Sequence, residues 1–141
     1  MNASSKARTT IIAAAIIAIS AYAGAAAAKD IHVKLSGDQE VPAVTTSAKG
    51  EGTITVGDDK SVKGSVKTSG VDGTMAHIHN AAPGKNGPVA VPLQKGKDGS
   101  WEVPPGAKLT DAQYKEFEAG NLYVNVHSAA NAGGEIRGQL K

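Results

Sequence analysis

The chain of 141 residues has no cysteine. Disulfides and thiolate metal ligands are therefore excluded, and so is a lipid anchor through a cysteine thioether. Aromatic residues are few: one Trp, one Phe and three Tyr. The core must be aliphatic, and base-stacking surfaces are unavailable. Arginine is almost missing too. After Arg8 the only one is Arg137, and the lysines are scattered, so no basic cluster suits nucleic acid. There is no G-x-G-x-x-G, no phosphate-binding G-x-x-x-x-G-K-[ST] and no G-x-S-x-G. Nucleotide-dependent and serine-hydrolase chemistry are unsupported.

The first 28 residues have their own pattern. Lys6 and Arg8 precede the short apolar run "IIAAAIIAI", and small residues follow to Ala28. Charged start, apolar centre and A-x-A end describe a secretory signal peptide. The apolar run is short for a membrane span. Cleavage is expected after Ala28, with Ala23 as the alternative. Residues 29–141 then form one exported domain, periplasmic or extracellular, free of the membrane. Of the 15 basic residues two leave with the leader, and the remaining 13 match the 13 acidic ones.

The rest reads as short β-runs divided by Gly/Pro turns. "DIHVKLS" alternates, with Ile31, Val33 and Leu35 on one side. Ile54 and Val56, then Val62 and Val66, repeat the period of two. Turn signals such as "GDD", "PGKNGP" and "NAGG" stand between the runs. An all-β antiparallel sandwich is expected, of Ig-like or superoxide-dismutase-like architecture. One segment breaks the period: "LTDAQYKEFEAGN" predicts a short helix near 110–119. Thr110 and Gln113 have capping-box spacing, and Gly120 suits the left-handed stop. Tyr114 and Phe117 are expected to plug the core.

Four histidines remain, and three carry the functional question. In "MAHIH", Met75, His77 and His79 share one strand face, with Ala76 and Ile78 opposite. Same-face neighbours lie about 6.5–7 Å apart along a strand, so two imidazoles can meet on one ion. His127, at the end of "LYVNVH", can add a third nitrogen from a neighbouring strand. Three histidines with an open position suit zinc. They suit copper as well, and a thioether from Met75 favours Cu(I). The plainer readings are a strand face without an ion, or histidines that pin the turn "NAAPGKNGP". Met75 can equally be a core filler. His32 belongs to another run and is placed on the surface. Glu40 reads as a turn residue or an outer carboxylate, with the turn favoured. Glu135 and Arg137 share a strand face and are expected to pair with each other or across strands.

Four blocks in order, "LSGDQEVPAV", "AHIHNAAPGKNGPV", "LTDAQYKEFEAGNLYVNVHS" and "GGEIRGQL", resemble the CHRD domain, over roughly residues 31–140. The resemblance implies a β-sandwich and export. It implies no defined biochemical role. Three functions follow from the residues: an exported copper-binding protein using His77, His79 and His127; a non-enzymatic interaction or adhesion module with a protein partner or homo-oligomer; and a copper-dependent redox enzyme. Copper is preferred, with zinc the alternative. No catalytic residue is assigned.

Overall fold

A computed structural model describes residues 27–141. The leader therefore lies outside the described residues, apart from its last two positions. The strands are β1 Ala28–Ser36, β2 Lys49–Gly57, β3 Val62–Ser69, β4 Gly73–Asn80, β5 Val89–Pro92, β6 Gln94–Lys95, β7 Ser100–Glu102, β8 Leu122–Ser128 and β9 Ile136–Leu140. A helix α1, Asp111–Glu118, and a 3-10 turn, Gly37–Gln39, complete the described elements.

All strand pairs are antiparallel, in the order β5-β4-β8-β9-β1-β2-β3-β7-β6. The two ends of that order are one stretch of chain. Pro92 pairs with His77 of β4, the Leu93 N–H donates to Ala76 O at 2.9 Å, and Lys95 then pairs with Trp101 of β7. The sheet thus curls towards a barrel, and the expected layers are opposite walls of one sheet. Closing a sheet in this way leaves fewer edge groups unpaired.

Period-two alternation points one row inward from each strand. Ile31, Val33 and Leu35, then Ile54, Val56, Val62 and Val66, are all buried, as the pattern requires. Ala76 and Ile78 join them from β4, and Leu122, Val124 and Val126 from β8. The helix is bounded as its signals predict. The Thr110 hydroxyl accepts from the Gln113 N–H at 3.1 Å and the Gln113 side chain accepts from the Thr110 N–H at 2.9 Å. Gly120 takes φ 77°. Phe117 is buried, and Tyr114 packs partly against the core with its ring centroid 6.0 Å from that of Phe117.

The outer face of β8 and β9, with the His79 end of β4, is also covered. The loops 37–48, 81–88 and 129–135 lie over it, and all seven residues of β8 are buried. A sheet face normally left to water here becomes a second, polar interior.

Candidate metal centre

Three imidazoles meet on this outer face. His77 and His79 come from β4 and His127 from β8, with one ring nitrogen from each within 4.8 Å of the others. The ring centroids of His77 and His79 are 5.3 Å apart, those of His77 and His127 5.0 Å, and those of His79 and His127 5.7 Å. The strand period brings the first two together. The β4–β8 register, with Met75 opposite His127 and His77 opposite Asn125, brings the third.

Backbone carbonyls set two of the rings. His79 Nδ1–H donates to Gly87 O at 2.9 Å, and His127 Nδ1–H donates to Ala132 O at 2.9 Å. Each ring therefore turns an Nε2 lone pair into the cluster. The His127 Nε2 accepts from His77 Nδ1–H at 3.1 Å. The buried His79 Nε2 has no hydrogen-bond partner at all. A buried polar atom left alone costs roughly 1–3 kcal/mol. Among the described residues it is the single buried side-chain nitrogen or oxygen in this condition. A cation bound by three imidazoles would satisfy it.

The electrostatics suit the same occupant. Burial holds His77 below the usual histidine range, aided by His127 and His79. Burial does the same for His79, with the Gly87 hydrogen bond opposing it. The lowering favours the neutral ring, which is the ligating form.

A stack backs the site. The His79 ring lies parallel to Tyr123, 5.0 Å between centroids and 7° between planes. The Arg137 guanidinium sits 3.5 Å above the Tyr123 ring centroid. The Tyr123 hydroxyl accepts from the Gly87 N–H at 3.3 Å, so one peptide segment fixes both rings. Gly87 has no room for a side chain, since a Cβ there would stand 1.9 Å from Asn80 O. His79 thus pins the "NAAPGKNGP" turn with one nitrogen and leaves the other free. The turn-pinning and metal readings describe two ends of the same ring.

The remaining expectations divide. His32 is exposed and its Nδ1 lies 2.9 Å from Thr53 Oγ1, far along the sheet from the trio. Met75 is no core filler: it is 52 % exposed, on the face of His77 and opposite His127. Glu135 and Arg137 do not pair. Glu135 accepts from Thr46 Oγ1 at 2.8 Å and from Ser128 Oγ. Arg137 donates to Lys85 O at 2.7 Å, Ala82 O at 3.2 Å and Gln139 Oε1 at 2.9 Å, because the loop over β9 offers carbonyls where the strand offers no carboxylate. Glu40 does end the 3-10 turn, but it is buried as well and accepts from Asn125 Nδ2. Burial pushes its carboxyl up to about 7, against the pull of the Asn125 hydrogen bond and the Arg137 charge.

Sequence reasoning missed Tyr123, Asn125 and Arg137 as parts of this interior. The signal was in "LYVNVHS", where Tyr123, Asn125 and His127 alternate with Leu122, Val124 and Val126. Polar residues on alternate positions do not say what covers them, and here loops do.

No curated protein and no solved structure matches the chain. One family model does, the CHRD domain, over residues 31–140. That span takes in every strand from the start of the inward row of β1 to the end of β9, and all three histidines with the loop that orients them. The chain therefore belongs to the CHRD domain family.

Proposed function

We propose that this chain is an exported copper-binding protein, a carrier, buffer or resistance factor whose site is His77, His79 and His127. The observation that carries the reading is the buried, unpartnered Nε2 of His79, facing two more imidazoles. Carbonyls on the far nitrogens of His79 and His127 are the outer partners that ligating histidines normally have. Imidazole suits both copper and zinc, and copper heads the stability order of the divalent first-row metals. Export is supported by the pattern of residues 1–28 and by the family's occurrence in exported proteins. No helix among the described residues is long and apolar enough to cross a membrane.

Copper titration of the untagged protein tests the site. One equivalent should bind, and His79→Ala should weaken binding at least tenfold. His32→Ala should leave it unchanged. Equal affinity in the wild type and in the His77→Ala/His79→Ala double variant would remove the metal reading. The interaction-module reading would then lead, with exposed Met75 and Val89 as its apolar contacts.

A further inference from the structure

Met75 and Val89 are the exposed large hydrophobic side chains of the described residues, and both flank the trio. Met75 is opposite His127 in register and two residues before His77 on the same face. The pairing of β4 with β8 is regular from Met75 to Asn80 and shifts just before it, between Gly73 and Met75. Such irregularities re-aim side chains and gather beside functional sites. Packing does not explain the residue. The inward row at this point of β4 is supplied by Ala76 and Ile78, so no core is filled by a side chain that is half in water.

We infer that Met75 is the fourth ligand of the trio and that its thioether makes the centre selective for Cu(I). The inference rests on the three-histidine reading. Directly opposed side chains of an antiparallel pair have Cβ atoms about 4.5–5.5 Å apart. A methionine sulfur stands two bonds beyond Cβ on an unbranched, flexible chain, so from a position opposite His127 it can be turned towards a cation held there. It would close the side of the trio where His77, the least buried of the three, meets solvent. Thioether sulfur is soft and favours Cu(I), while imidazole serves both valences. Selectivity for the reduced ion therefore depends on Met75 more than on the histidines.

The composition makes the test clean. The chain has no cysteine and only two methionines, Met1 and Met75. In exported protein that has lost its leader, Met75 is the single sulfur atom. X-ray absorption of that protein loaded with Cu(I) under reducing conditions should show nitrogen scatterers and one sulfur. Selenomethionine labelling should convert the sulfur into selenium. Competition with a Cu(I) chelator should show at least a tenfold loss of Cu(I) affinity in Met75→Leu, with Cu(II) affinity changed less than threefold. A tenfold loss in one valence alone lowers the copper potential by about 59 mV. If Met75→Leu changes neither valence, or both equally, or if the copper has no sulfur or selenium neighbour, the inference falls and the histidine reading stands. If the His77→Ala/His79→Ala variant keeps full affinity for both valences, the histidine reading falls first.

Discussion

Strand β8 has two faces that are equally dry and chemically opposite. Leu122, Val124 and Val126 are fully buried against the aliphatic core. Tyr123, Asn125 and His127 point the other way and are 3 %, 2 % and 7 % exposed. The inner face is held by non-directional burial, which tolerates exchange among residues of similar volume. The outer face is held by directed bonds. Asn125 donates to Glu40 and to Ile136 O, Tyr123 takes Gly87 N–H, and His127 holds Ala132 O. Gly134 lies so close over Asn125 that a Cβ there would stand 2.6 Å from its amide. A polar interior of this kind is stable only when each member is satisfied. Its one unsatisfied atom, His79 Nε2, is where a ligand has something to add.

The largest effect should separate the two faces. Among the described residues Arg137 is the most deeply placed charged side chain, 1 % exposed, and it ties the 81–88 loop through Lys85 O and Ala82 O. Arg137→Ala should cost about 2–5 kcal/mol, since it strands those two carbonyls and removes the cation above Tyr123. Leu122→Ala, on the inner face of the same sheet, should cost about 2–5 kcal/mol through its cavity. The size of the loss does not tell them apart, but hydrogen exchange does. Arg137→Ala should raise exchange selectively in residues 81–88, whereas Leu122→Ala should lower protection across the sheet. Equal protection of the loop in the two variants would mean that Arg137 does not anchor it.

Glu40 sharpens the comparison at smaller scale. Its carboxyl is buried beside Asn125, and pushed up to about 7 it resists ionisation. Above pH 7 the folded chain carries a desolvated charge that the unfolded chain keeps in water. Glu40→Gln retains an oxygen to accept from Asn125 and removes the charge. It should stabilise the protein by about 1–3 kcal/mol at pH 8 and leave stability near pH 4 almost unchanged. Urea denaturation at both values checks this. The inner face has no counterpart to such a change.

The inward rows were legible because they depend only on local alternation. Ile31, Val33 and Leu35 declare themselves by spacing, and so do the Thr110–Gln113 cap and the Gly120 stop. The H-x-H pair was legible for the same reason. The covering of the outer face was not, because it is made by partners distant in sequence. Glu40 meets Asn125 across 85 positions, and Thr46 meets Glu135 across 89. Periodicity tells which residues share a face. It does not tell whether water or a loop lies over that face, and so the partners of Glu135 and Arg137 stayed open and Glu40 read first as a turn residue. The joining of the sheet ends through Leu93 is missed likewise, since a two-residue β6 carries almost no pattern of its own.

The two ends of the outer face should respond to acid with opposite sign. At the Glu40 end the folded pKa, about 7, lies above the unfolded value of about 4.3. Between those values the folded state holds the extra proton, so stability rises as pH falls from 7 towards 4.3. At the histidine end burial lowers His77 and His79 below the unfolded value of about 6.5. There the unfolded state takes up protons first, so stability falls as pH drops below about 6.5, until the folded rings protonate too. The wild type between pH 7 and 5 should therefore change little, because the terms oppose. Glu40→Gln removes the first term, and its stability should fall steadily with acid over this range. His77→Ala/His79→Ala removes the second, and its stability should rise. Copper adds a further distinction. The ligating form is neutral imidazole, so the lowered values should keep affinity nearly constant down to about pH 6.5 and let it decline only below that. Chemical denaturation at half-unit pH steps for the three proteins reads the signs directly. Parallel curves for the two variants would show that the two ends of the face titrate as one unit and would overturn the division drawn between them.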